Sequence, residues 1–204
     1  MSLKQRQQIS SWVGIFAVLG AVVSPAVVGA VSATANTTIN ATLGSTISVS
    51  TSTTVAIGVT PTAGGSLSSA SDTVSVSTNN ALGYNLTLLD TDTNTNLVNG
   101  ANNIAASASI TGVGGPAVLV NDTWGFAVAG NTGFDASYSA ETNNASSTSK
   151  WAGVLSSAGT PYSLKNTATT ASGDTTTVWY AVKATTAKPN GVYTDTVTYT
   201  ATTN

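Results

Sequence analysis

The sequence predicts an all-β protein: an Ig-like antiparallel β-sandwich preceded by a hydrophobic N-terminal signal helix. Three observations predict it. Apolar and polar residues alternate with period two in several short runs, the pattern of strands with one buried and one wet face. Clusters of Gly, Pro, Asn and Asp punctuate those runs as turns would. Beyond the N-terminal segment no helical period is sustained. Many short strands and no helix describe a sandwich.

The N-terminal segment carries Lys4 and Arg6, then an uncharged apolar run from Trp12 to Val23, then Ser24-Pro25 and the small-residue steps Val28-Gly-Ala30, Val31-Ser-Ala33 and Ala33-Thr-Ala35. A charged start, a short apolar stretch and small residues at its end make residues 1–33 a secretory signal peptide. The competing reading is an uncleaved membrane anchor, because the 20 residues from Trp12 to Val31 carry no charge and could span a bilayer. No second apolar run follows, so residues 34–204 are expected to form one β-sandwich domain, secreted or on the cell surface. The membrane is met only through the N-terminal segment.

Each later element has its own signal. Ile39, Ala41, Leu43, Ile47 and Val49 alternate with polar residues, which predicts one long strand over 37–50, or two with a break at Gly44-Ser45. Thr54–Thr60 is a second strand, ended by Pro61. Residues 62–71, small and centred on Gly64-Gly65, read as a turn region. Thr73–Thr78 and Gly83–Leu89 read as a hairpin around Asn79-Asn80-Ala81-Leu82. Residues 90–103 are a polar loop, 104–110 a weakly patterned strand, and 112–116 a Gly-rich break. Trp124–Val128 is a strand, 131–149 a long Asn/Ser/Thr loop carrying Tyr138, Trp151–Leu155 a short element, and 167–176 a linker.

The strongest alternation closes the chain. Tyr193, Val197, Tyr199 and Ala201 point one way and Thr194, Thr196, Thr198 and Thr200 the other. Val178, Tyr180, Val182 and Ala184 share one side of the preceding run. Lys188-Pro-Asn-Gly191 supplies turn residues between them, so 177–200 reads as a hairpin. Its apolar faces need a second layer, since a lone hairpin is marginal in water.

Composition narrows the function. Charged residues make up 7% of the chain and apolar residues 41%, so the exposed surface must be built from neutral hydroxyls and amides. Threonine, β-branched and polar, suits it. There is no cysteine, hence no disulfide and no thiolate metal site, and no histidine, the usual general base and zinc ligand. Without Lys4 and Arg6 the rest of the chain has four basic and eight acidic residues, a net charge of −4. Such a chain lacks the basic patch that nucleic acid requires.

The stretch Lys188-Pro-Asn-Gly-Val-Tyr-Thr-Asp-Thr-Val-Thr-Tyr-Thr200 resembles the terminal segment of spore-coat-U-type and related secreted fimbrial β-sandwich proteins. Residues 73–89 and Thr123-Trp-Gly125 are similar to segments of exported bacterial β-sandwich proteins. The cysteines usual in spore-coat-U-type proteins are missing. The resemblance implies an Ig-like sandwich at the cell surface, able to polymerise by strand exchange, and it carries over no catalytic residue.

Three sets of residues are candidate sites. Asp90, Asp92, Asn94 and Asn96 place oxygen-bearing side chains at alternate positions, as calcium-binding loops do, although the EF-hand glycine and glutamate are replaced by Thr95 and Ala101 and Asx-rich sequence is also ordinary turn chemistry. No other cofactor is implied. Trp179, Trp151 and Trp124 could form a stacking platform for a polysaccharide, or could be core; Trp179, out of phase with its apolar neighbours, is the one expected outside. Asp72, Asp122, Asp135, Glu141, Asp174 and Asp195 could supply a glycosidase pair if two met in space. Asp195 shares the inward side with Tyr193 and Val197, where a charge deters edge pairing. Gly112-Val-Gly-Gly115 is not followed by a helix and so is no phosphate loop. Asn36, Asn40, Asn85, Asn121 and Asn144 begin Asn-x-Ser/Thr sequons, glycan acceptors only in a host with the machinery.

The expected function is a structural or adhesive surface protein without catalytic activity, a filament or surface-layer subunit whose partners are copies of itself or cell-surface components. The alternatives are a carbohydrate-binding module and a carboxylate-based secreted glycosidase.

Overall fold

The structure, a computed structural model, describes residues 31–109 and 115–204. The proposed signal peptide or anchor and the Gly-rich break at 112–115 fall wholly or mostly outside the described residues. The chain divides into two units, 1–42 and 43–204. In the first, residues 31–42 carry no regular secondary structure and are exposed.

The second unit is all-β, with no helix among the described residues. Its strands are β1 (Ile47–Ser50), β2 (Ser66–Thr78), β3 (Tyr84–Asp90), β4 (Leu97–Asn99), β5 (Asn102–Ala106), β6 (Ala117–Val118), β7 (Thr123–Ala127), β8 (Lys150–Trp151), β9 (Tyr162–Asn166), β10 (Ala171–Ala184) and β11 (Val197–Thr203). They form a six-stranded sheet in the order β1-β2-β10-β7-β5-β4, a three-stranded sheet β11-β3-β9 and a two-strand pair β6-β8. One of the sheets curls into a half-barrel. All pairs are antiparallel except β5 with β7, which run parallel.

The alternation read from the sequence fixes the buried faces. In β3, Tyr84, Leu86, Leu88 and Asp90 are buried while Asn85, Thr87 and Leu89 are half-buried. In β10, Val178, Tyr180, Val182 and Ala184 are buried as expected. In β11, Val197, Tyr199 and Ala201 are half-buried and Thr198, Thr200 and Thr202 exposed. Every residue of β7 is buried, which fits a strand covered on both sides rather than one.

Pairing differs from the sequence reading. The segment 177–200 is not a hairpin: β10 pairs with β2 and β7, whereas β11 pairs with β3 in the other sheet. Likewise 73–89 is not a hairpin, because β2 and β3 lie in different sheets. Alternation records which face a residue occupies, and an arch between sheets satisfies it as well as a hairpin does. Residues 66–71, expected in a turn region, are the first half of β2. Ser66 to Ser69 are buried where Leu67 exchanges backbone bonds with Asn144, and where Ser69 N–H donates to the Glu141 carbonyl while its Oγ accepts Glu141 N–H. Residues 171–176, expected in a linker, open β10, with a bulge between Ala171 and Asp174 at Gly173, whose φ is +64°.

The long strand expected over 37–50 forms a ladder only at Ile47–Ser50, after the Gly44-Ser45 break. Val55, Ile57 and Val59 do turn alternately toward the core. No ladder forms there: among the described residues, no backbone hydrogen bond joins 53–59 to another strand. Ring contacts fill the centre, with Phe126 at 5.6 Å from Phe134 and 5.4 Å from Tyr162. Gly125 and Gly153 permit close backbone approach: a Cβ there would lie 2.5 Å from the Ala152 carbonyl oxygen and 2.0 Å from that of Ser107, respectively.

Candidate functional site

The inward face of β3 ends on a carboxylate. Asp90 takes the next buried position after Leu86 and Leu88 and is 1% exposed. The loop that follows is tied down on three sides. Thr91 N–H donates to the Thr196 carbonyl at 3.0 Å, Ser157 N–H to the Asp92 carbonyl at 2.7 Å, and Trp124 Nε1–H to the Thr95 carbonyl at 2.9 Å. Val98 and Thr194 exchange backbone bonds of 2.9 and 3.0 Å. Asp195 lies between the two residues so clamped, Thr194 and Thr196, and its side chain is directed inward.

Asp90 and Asp195, 105 positions apart in the chain, therefore meet. Asp90 Oδ1 accepts from Asp92 N–H at 2.9 Å, and Asp195 Oδ1 from Thr196 N–H at 2.8 Å. The Oδ2 atom of each is buried with no donor to accept from. The two carboxyl groups are neighbours on the inward face, since Asp90 pairs with Val197 and Thr91 N–H bonds the Thr196 carbonyl, and a proton held there would relieve their repulsion. Burial, and then the charges of Asp90 and Asp92, push the Asp195 carboxyl up to about 7. No cation offsets the pair: among the described residues the one ion pair is Lys165–Asp174, elsewhere.

Of the oxygen-rich loop expected to gather a cation, Asp90 faces this point. Asp92 and Asn94 each spend one oxygen on the N–H two residues on, at 2.6 Å and 3.3 Å. Asn96 donates its side-chain amide to Asn94 at 2.8 Å. This is a chain of Asx turns. Among the described residues no three His, Cys, Asp or Glu side chains are grouped to hold a metal.

The tryptophans do not make one exposed platform. Trp151 is fully buried beside Tyr138, with ring centroids 5.1 Å apart. Trp124 is 4% exposed and stacks on Tyr180. Trp179 is half-buried against the core.

The remaining acids serve separate local networks. Asp72 on β2 accepts the Thr51 hydroxyl and, at 3.1 Å, Ser52 N–H. Burial pushes its carboxyl up, but those bonds outweigh it and the group lies below the usual carboxylate range. Asp174 accepts Lys165 Nζ at 2.6 Å and the Tyr84 hydroxyl at 2.8 Å, and the lysine leads in holding it low. Asp122 accepts from Thr185, Asp135 from Lys150 N–H, and Glu141 from Ser147, Ser149 and the Asn144 amide. In a glycosidase the two carboxyls stand about 5–9.5 Å apart around a sugar bond. The unpartnered oxygens of Asp90 and Asp195 are buried rather than set on a cleft that a sugar could enter.

No family model, no curated protein and no solved structure matches the chain.

Proposed function

We propose that this protein is a structural or adhesive building block of a cell surface, an Ig-like sandwich without catalytic activity that joins copies of itself by adding a strand to a neighbour. The observation that carries this reading is the segment 37–46. It alternates apolar and polar residues as a strand does and carries no charge. It nevertheless belongs to no sheet, and Ile39 and Leu43 are 88% and 82% exposed. Exposed alternating backbone without charge is what isolated domains avoid, because it recruits other chains.

β11 supplies a matching edge. Among the described residues it pairs on one side alone, with β3, and its seven residues Val197–Thr203 carry no charge. Main-chain bonds to such an edge would give affinity, and Ile39, Ala41 and Leu43, at alternate positions, would select the register. Because the donor and the edge are different surfaces of one chain, the contact repeats head to tail and builds filaments. The hydroxyl-rich exterior, the resemblance of 188–200 to secreted fimbrial proteins, and the signal-like N-terminus support a place outside the cell.

The test is deletion of residues 34–46, which leaves β1 and its ladder to β2 intact. The undeleted chain is expected to form concentration-dependent oligomers or fibres by size-exclusion chromatography and electron microscopy, and the deleted chain a folded monomer. An undeleted chain that stays monomeric at high concentration overturns the reading.

A further inference from the structure

We propose that Asp90 and Asp195 are the two anionic ligands of a divalent cation site of the calcium class, which locks the 185–196 connection onto the loop after β3. The argument starts from the orphaned oxygens. Asp90 is almost completely buried and its Oδ2 has no donor, and the Oδ2 of Asp195 is buried and equally unpartnered. Native structures rarely leave such atoms unsatisfied, and each one calls for an unrecorded partner. Two adjacent buried carboxylates repel, and removing each from water costs several kcal/mol unless a proton or a cation stands between them. The chain supplies none here, since Lys188 Nζ is engaged by the Asn103 carbonyl at 2.6 Å and Lys165 by Asp174.

The chemistry around the pair selects the ion. Every donor nearby is oxygen, and the chain has no histidine or cysteine, which favours hard cations over zinc or copper. Calcium accepts varied, irregular shells of oxygen ligands, whereas magnesium demands near-ideal octahedral geometry. Asp92 adds a third negative charge to the same field.

The position of the pair explains what the ion would do. Asp90 ends β3 in the three-stranded sheet. Asp195 sits in the connection that leaves β10 of the six-stranded sheet for β11. A cation between them would fasten the C-terminal end of that connection to the end of β3 through charge rather than through a disulfide, which this cysteine-free chain cannot make.

The test is titration calorimetry of calcium into chelator-treated purified protein at about pH 8, with thermal melts in calcium and in chelator. The expected result is one bound ion per chain and a melting temperature about 5 °C or more higher at about 1 mM calcium. Asp195→Asn, which keeps the shape and removes the charge, is expected to bind at least tenfold more weakly and to melt higher than the parent in chelator. No binding heat and no thermal shift in the parent protein, with stability lost as pH rises from about 4 to about 7, would mean that the pair holds a proton alone and would overturn the site. Calcium binding left intact in both Asp195→Asn and Asp90→Asn would overturn it as well.

Discussion

The hydroxyls of Tyr180 and Tyr199 meet at 2.7 Å. One belongs to β10 in the six-stranded sheet and the other to β11 in the three-stranded sheet. Two inward-facing tyrosines, 19 positions apart in sequence, thus join the sheets across the interior rather than lying side by side in a hairpin. Burial pushes both phenols up, and the charge of Asp72 adds to it, so both stay neutral and either can donate. The Asp72 charge acts on both phenols, and its oxygens accept the Thr51 hydroxyl and Ser52 N–H.

That link makes Asp72 the fastening of the chain just after β1. Replacing Asp72 with Ala leaves the Thr51 hydroxyl and Ser52 N–H without their acceptor. The expected loss is about 1–3 kcal/mol of stability by denaturant unfolding, with faster proteolysis confined to residues 51–60. Unchanged proteolysis there would show that the unladdered segment 53–59 is held by Val55, Ile57 and Val59 alone.

Gly153 marks the tightest backbone approach, its would-be Cβ 2.0 Å from the Ser107 carbonyl oxygen. Gly153→Ala should destabilise by about 3 kcal/mol or more, the upper range of overpacking. Gly44→Ala, where nothing lies within 4 Å, should be nearly neutral. Similar melting temperatures for the two variants would contradict the packing described.

Acid should reveal the Lys165–Asp174–Tyr84 group. Asp174 is held low in the folded chain, so its contribution is present above the unfolded carboxylate pKa of about 3.9 and is lost as pH falls through the lower folded value. Lys165→Gln should therefore melt below the parent at about pH 6, and the gap should close toward about pH 2. A gap independent of pH would mean that Lys165 acts through packing instead.

How far the sequence carried depends on the kind of information. The inward positions of β3, β10 and β11 were legible because period two reports burial directly. The partners were not, since β2–β3 and β10–β11 alternate identically whether they pair or arch between sheets. Trp124 and Trp151 could be read as core or as platform. Only the strands that cover β7 on both sides decide the matter. Asp90 stood out within its Asx-rich loop, in a set with Asp92, Asn94 and Asn96. Its neighbour across the chain, Asp195, was not placed beside it, because the clamp of Thr194 to Val98 and of Thr196 to Thr91 is a long-range contact. Its one local signal was a charge on the inward side of an otherwise apolar phase.

The central claim, that 37–46 is a strand awaiting a neighbour's sheet, is tested most directly by amide hydrogen exchange on the protein at low and high concentration. The account predicts that amides of 37–45, which donate to no partner among the described residues whereas Thr46 N–H donates to Asn79 Oδ1, gain protection on assembly together with the outer-edge amides of β11. Amides of 37–45 that exchange at the unprotected rate at every concentration, in samples shown to be assembled, would contradict it.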